Sequence, residues 1–318
     1  MYKFNDELYI NSFWGLKRLK AVFRKVFEEP IFRLVKYKEI ELVNHAIEFI
    51  NEGSIEVKLP KVSKFNVLLG TGLFIKRNID YMMRPYVEVL LRKTIFELYK
   101  SGYINNTSSI IDIGCYIADN SIVWANYLSE SGKVIAIDPS LDNISYGKEL
   151  AQLNRIKNIE FVQAVCADKP GIRLDFDGSI DHASFKAAIS ENYILSSTID
   201  EIIDKDGSSI GLFHLDVEGF ELSVLKGAVS LIKRDLPVIL FEQHISKEKV
   251  SDVISFLKEF DYRIFMINEV LPGCSLDCRN FLALPSKRGI PKLSNFDQEK
   301  GRDLGVFSAV IGNMLIEI

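Results

Sequence analysis

From Ser108 to Pro285 the chain alternates short apolar runs with stretches of helical period. SSIIDIG, KVIAID, IEFVQAV, SIGLFHLDV, VILFEQH, RIFMI and NFLALP read as strands. Their near-continuous apolar, β-branched character suits strands buried on both faces of a parallel sheet. Between them, residues 119–130, 142–156, 220–235 and 247–260 carry apolar side chains at helical spacing. Repeated strand–helix units predict a doubly wound α/β sheet with right-handed crossovers. Seven strands are expected. The last two are joined by a loop around PGCSLDC instead of a helix, which predicts an antiparallel hairpin at one edge. Gly171 to Asn192 is polar and without period, and reads as an irregular cover between the third and fourth strands.

Upstream the pattern differs. Residues 13–50 are helical in period, with Leu16, Leu19, Phe23, Val26 and Phe27 on one face and Lys17, Arg18, Lys20, Arg24 and Lys25 around it. Such a basic amphipathic helix suits either packing on its own domain or a second subunit, or peripheral contact with an anionic membrane; the first is the expectation. Residues 54–75 look extended, and 85–101 read as a helix with Pro85 near its first turn and Gly102 just past its end. The expected organisation is therefore an N-terminal helical and extended subdomain over 1–84, an α/β domain over 85–288 and a C-terminal extension over 289–318.

Composition narrows the classes. The 318 residues are 47% hydrophobic and 26% charged, which excludes collagen, coiled coil and long disorder. A net charge of −4 argues against a nucleic-acid partner, which rewards clustered Lys and Arg. No apolar run reaches the roughly 18 residues of a membrane span, and MYKFNDELYINSF has no secretory pattern. A cytoplasmic location is the resulting expectation. Cys115, Cys166, Cys274 and Cys278 make no disulfide framework, and Cys274 and Cys278 lack two further zinc ligands nearby.

In open parallel sheets the ligand lies beyond the carboxyl ends of the strands. The first strand ends at Asp112 and runs into Gly114, Cys115 and Tyr116; the second ends Asp138-Pro139; the third ends at Asp168. Gly114 permits a sharp turn. Asp138 can accept ribose hydroxyls, and Asp168 an adenine amino group. Asp112 repels a pyrophosphate but suits an ammonium group. Three acids at three strand ends describe a cationic adenosine ligand, S-adenosylmethionine, better than an anionic dinucleotide. A nicotinamide-dependent oxidoreductase would want the Gly-rich turn that this chain lacks.

The fourth strand runs into LDVEGFELSVLKGA, with Asp216 and Glu218 at its end. This stretch resembles the FkbM family of S-adenosylmethionine-dependent methyltransferases, supported by IDIGCYIADNS, IDPSLDNISYGKELAQLN, STIDEI, LFEQH and CRNFLALP over roughly residues 85–285. The resemblance implies a Rossmann-like class I methyltransferase sheet that binds cofactor with Asp112, Gly114, Cys115, Tyr116, Asp138, Pro139, Asp168 and Asp216. It implies methyl transfer to a hydroxyl of a sugar, glycan or related small molecule. Tyr116 and Ala118 stand where the family tends to have Asn and Gly, so a non-catalytic binding or scaffold protein is an alternative.

An alcohol must lose its proton at or after transfer. His244 is the expected general base, with Glu242 or Glu218 orienting it. Mg²⁺ held by the same carboxylates is the less favoured alternative. His214 alternates along its strand and reads as a core histidine. Ser197, Thr198 and Asp200 read as a helix cap, and Glu221 as favourable charge at a helix start. The terminal segments outside the resemblance are candidates for contact in a homo-oligomer.

Overall fold

The computed structural model describes residues 89–176, 185–187, 193–203, 207–244, 250–267, 278–293 and 315–318. The expectations for the N-terminal subdomain, including the basic amphipathic helix, lie outside the described residues, as does Cys274. The elements are α1 (Val89–Lys100), β1 (Ser109–Ile113), α2 (Asp119–Ala125), β2 (Val134–Asp138), α3 (Leu141–Leu153), β3 (Ile159–Gln163), β4 (Val165–Cys166), β5 (Arg173–Phe176), β6 (Phe185–Ala187), β7 (Tyr193–Ser197), α4 (Ile199–Ile203), β8 (Ile210–Leu215), α5 (Glu221–Lys226), α6 (Val229–Asp235), β9 (Val238–His244), α7 (Val250–Glu259), β10 (Tyr262–Ile267), β11 (Cys278–Pro285) and β12 (Leu315–Glu317).

The main sheet has eight strands in the order β12-β10-β11-β9-β8-β1-β2-β3. β3, β2, β1, β8 and β9 are parallel. β1, β2 and β8 are buried along their whole length, as their apolar runs require. The two-residue period sorts their side chains into two cores. Ile111, Ile113, Phe213 and Leu215 pack with Ile199 of α4, Val224 of α5, Ile232 of α6 and Leu257 of α7. Ile110, Leu212 and Leu240 pack with Leu91 and Ile95 of α1 and Trp124 of α2. Helices thus cover both faces, which is the doubly wound arrangement.

The structure corrects five details. The sheet has eight strands, because β12 pairs antiparallel with β10 in a segment without strand periodicity of its own. The β10–β11 hairpin is not at the edge: β11 inserts between β9 and β10 and runs antiparallel to both. IEFVQAV breaks at Ala164, whose N–H turns to the Asp138 carbonyl at 3.2 Å. Its last residues, β4, then join a second, four-stranded sheet in the order β4-β7-β5-β6. The described parts of Gly171–Asn192 contribute antiparallel strands to that sheet, so the segment is not irregular throughout. Finally, the helix expected over 220–235 is two helices, divided at Gly227 and Ala228.

Gly227 divides them for a steric reason. A Cβ there would lie 2.1 Å from the Ala167 carbonyl oxygen, so only glycine lets α5 and α6 close onto the exit of β4. The Gly227 carbonyl accepts the Asp200 N–H at 3.0 Å. The Asp200 carboxylate in turn accepts the Ser230 and Leu231 N–H groups, each at 2.9 Å, and caps α6. Thr198 and Glu201 form a reciprocal capping box at the start of α4. The cap expected at Thr198 is present, while Asp200 caps the neighbouring helix.

Candidate cofactor and catalytic site

The C-terminal ends of β2, β1, β8 and β9 are neighbours along one edge of the sheet. Adjacent strands lie about 4.8 Å apart, so the β2 and β9 backbones are separated by roughly 14 Å. The expected site residues are distributed along that edge.

Gly114 is the pivot. Its φ is +72°, and an added Cβ would lie 1.8 Å from the Asp216 carbonyl oxygen. Glycine is required here twice over, for the left-handed backbone and for the close approach. The Gly114 and Cys115 N–H groups both donate to the Ile137 carbonyl, at 2.9 and 3.1 Å, and Asp216 N–H donates to Ile113 at 3.0 Å. The turn after β1 is therefore tied to the ends of both β2 and β8. Tyr116 and Ala118 also have positive φ, 51° and 63°. They occupy left-handed conformations that a non-glycine residue reaches only at a cost.

Asp138 is buried at the end of β2. One carboxylate oxygen accepts the Tyr116 N–H at 3.0 Å. The other accepts Ser140 N–H at 2.9 Å and the Asn143 side-chain amide at 3.1 Å. Burial pushes its pKa up to about 6, against the lowering effect of these three donors. A carboxylate offers about four acceptor positions, so room for a further donor remains on the Tyr116 side. Pro139 follows, half-buried, and its carbonyl accepts from Gln163 at 3.1 Å.

Asp112 is fully buried. One oxygen lies 2.7 Å from His214 Nδ1, and the other accepts the Ser121 hydroxyl. His214 meets Trp124 edge-on at 5.0 Å between ring centres. His214 is therefore a satisfied core histidine, as its alternation suggested. Cys115 is buried beneath the turn, where burial and the nearby acids hold its thiol well above its usual pKa. Asp168 is exposed and tied to α5: its N–H donates to Ser223 Oγ at 3.1 Å, and Ser223 Oγ donates back to its carboxylate at 3.3 Å.

The loop after β8 carries the half-buried Asp216 and Glu218. Glu218 has φ 49° and Gly219 φ 98°, two left-handed residues in succession. Glu221 is fully buried. One of its oxygens accepts the Val217 and Gly219 N–H groups, at 3.3 and 3.2 Å, and the other accepts the Gln243 side chain at 3.4 Å. Its role is thus larger than favourable charge at a helix start. On β9, Glu242 is buried and lies opposite Asn280, itself fully buried, on β11. His244 closes the strand opposite Cys278; its side chain lies outside the described residues. Among the described residues no group of three or more His, Cys, Asp or Glu is disposed to hold a metal ion. Among them, too, no helix is long and apolar enough to cross a membrane.

Sequence reasoning missed Ser121, Asn143 and Gln243, and gave Glu221 only the helix-start charge. Asn143 had a local signal, since Ser140 to Asn143 has the spacing of an N-cap, and Ser140 Oγ accepts the Asn143 N–H. Ser121 and Gln243 meet their partners only through the fold.

The order β3-β2-β1-β8-β9, followed by an inserted antiparallel strand, is the class I methyltransferase arrangement, here extended by β12. Residues 112–264 match the methyltransferase FkbM domain. The matched segment is similar to an FkbM methyltransferase domain and sits on the sheet order of a class I methyltransferase. No curated protein matches it. Among solved structures it is similar to methyltransferase FkbM from Methylobacillus flagellatus KT, at 15% identity and TM-score 0.42 over 75% of this chain and 58% of that one. It is also similar to a SAM-dependent methyltransferase from Aquifex aeolicus, at 13% identity and TM-score 0.39 over 71% of this chain and 100% of that one. A third similar structure is SMU.1697c from Streptococcus mutans in complex with SAH, at 15% identity and TM-score 0.38 over 60% of this chain and 95% of that one. The chain thus spans 58% of the Methylobacillus protein's length.

Proposed function

We propose that the protein transfers the methyl group of S-adenosylmethionine to a hydroxyl of a sugar, glycan or related small molecule. The observation that carries this reading is Asp138: a buried carboxylate at the end of β2, fixed by three donors, with acceptor capacity left beside the Gly114 turn. The open acceptor position fits a ribose hydroxyl, which would donate to it. Asp138 and the turn of Gly114, Cys115 and Tyr116 would hold the nucleoside, Pro139 and Asp168 its base, and Asp216 the amino-acid portion. Asp112 supports the turn from beneath, through His214 and Ser121. When bound, S-adenosylmethionine supplies a methyl group activated by its sulfonium.

His244, at the end of β9, is the proposed base for the acceptor hydroxyl, with Glu242 or Glu218 fixing its orientation. Alignment is worth roughly 7–11 kcal/mol in such a reaction and a base about 3–5 kcal/mol. Loss of the base therefore slows turnover without abolishing it. The test has two arms. Calorimetry should show binding of S-adenosylmethionine and S-adenosylhomocysteine but not NAD⁺; binding of NAD⁺ alone would discard the reading. With a panel of hydroxylated acceptors, His244→Ala should lower release of S-adenosylhomocysteine by about 10²–10⁴-fold and leave its binding intact. Turnover abolished by EDTA and restored by Mg²⁺ would transfer the proton-handling role to a metal.

A further inference from the structure

We infer that Glu221 and Gln243 form a positioning brace that sets the shape of the loop after β8 and ties it to β9. This rests on the methyltransferase reading and extends it to residues that do not touch the reacting groups. The geometry is specific. One Glu221 oxygen gathers the Val217 and Gly219 N–H groups, at 3.3 and 3.2 Å, so the chain must bend around the intervening Glu218. The bend is costly in backbone terms at Glu218, a non-glycine residue with φ of 49°, while Gly219 takes φ of 98° freely. A buried acceptor for both flanking amides is what holds such a conformation. The other Glu221 oxygen takes the side-chain amide of Gln243 at 3.4 Å. Gln243 is the residue between Glu242 and His244 on β9. The brace therefore joins the loop bearing Asp216 and Glu218 to the strand end bearing Glu242 and His244. The sequence pattern does not suggest that link, because strand alternation puts Gln243 on the opposite face of β9 from Glu242.

Gln243 also supplies the means of testing it. Its Oε1 is buried and has no hydrogen-bond partner, while its Nε2 serves Glu221. In Glu221→Gln, the new amide oxygen can keep both backbone N–H groups. Its NH₂ can then donate to Gln243 Oε1 once the Gln243 amide rotates by half a turn. Hydrogen bonding survives and only the charge is lost. Glu221→Met keeps the volume and removes both acceptors. Gln243→Met cuts only the link to β9.

The experiment measures hydrogen–deuterium exchange of the peptide spanning 216–220 and calorimetric affinity for S-adenosylhomocysteine, in the full chain. Glu221→Met should speed exchange of the Val217 and Gly219 amides at least tenfold, with β8 unchanged, and weaken binding about tenfold or more. Gln243→Met should weaken binding several-fold, and it carries the test if Glu221→Met does not fold. Glu221→Gln should stay within about threefold of wild type in both readouts. Wild-type exchange rates in Glu221→Met would overturn the brace. Accelerated exchange with wild-type affinity would overturn its positioning role. If wild-type protein binds no S-adenosylhomocysteine, the methyltransferase reading and the positioning role fall together, and exchange alone decides whether the brace exists.

Discussion

Gly114→Ala and Gly102→Ala form a matched pair that isolates one steric contact. Both glycines have φ +72°, so an alanine pays the same left-handed penalty at either site, about 1–2 kcal/mol. Beyond that they differ completely. The Cβ at Gly102 meets nothing within 4 Å. The Cβ at Gly114 lies 1.8 Å from the Asp216 carbonyl oxygen and 2.8 Å from its carbon, and must retreat to at least 3.0 Å. Neither partner can yield as a flexible side chain would, because both are backbone atoms. Relief must therefore pull the end of β1 from β8, at the expense of the Gly114–Ile137 and Asp216–Ile113 hydrogen bonds. Each is worth about 0.5–1.5 kcal/mol net. With residual overlap, Gly114→Ala should cost roughly 3–5 kcal/mol against about 1–2 kcal/mol for Gly102→Ala. The difference corresponds to about 4–12 °C in melting temperature for a domain of this size. Thermal and urea denaturation of the two variants side by side would measure it. Equal melting temperatures would refute the close approach of the two strand ends.

Three further outcomes follow from the same geometry. Gly227→Ala, at an ordinary backbone angle, should destabilise the fold by roughly 2–4 kcal/mol by driving α5 and α6 off the Ala167 carbonyl; urea titration checks it. Asp112→Ala leaves His214 and Ser121 without their buried partner and should cost about 3–5 kcal/mol. Asp112→Leu combined with His214→Leu should recover part of that in a double-mutant cycle. Asp138 has a folded pKa of about 6, above the ordinary carboxylate value. Its protonation is favoured by the fold, so its stabilising contribution is complete below about pH 4 and is lost as pH rises through 6. Denaturation at pH 4 and 7 should therefore show Asp138→Asn gaining about 2–3 kcal/mol relative to wild type over that interval. Affinity for S-adenosylhomocysteine should fall about tenfold per pH unit below 6, because a protonated Asp138 accepts ribose hydroxyls poorly.

The sheet was legible because its strands announce themselves. SIIDI, VIAID and IGLFHL are buried on both faces, and only continuous apolar runs survive there. β12 gave no such signal: Leu315–Glu317 is three residues, two half-buried and one exposed, and its pairing with Phe265–Ile267 is long-range. β5–β7 were hidden for a related reason. Tyr193 and Leu195 stay exposed on β7 while Ile194 is only half-buried, so that strand lacks the continuous apolar run that marks the main sheet. In the candidate site, acids at strand ends could be found by position alone. What each carboxylate bonds to could not. Asp112 and Asp138 look equivalent in sequence, yet one is spent on His214 and Ser121 and the other keeps an open acceptor position. Glu221 reads from sequence only as charge at a helix start because its three donors come from its own loop and from β9, a relation that periodicity does not encode.

β12 has a colloidal consequence. Phe265 to Ile267 would otherwise offer bare amides and carbonyls along an apolar border, the kind of template on which another molecule's strand docks. The short ribbon, pinned by the two-pronged Arg263–Glu317 contact at 2.8 Å, blocks that border. Versions shortened before Leu315 should therefore clump on storage at concentrations where the whole polypeptide stays dispersed, and light scattering over time would register the change.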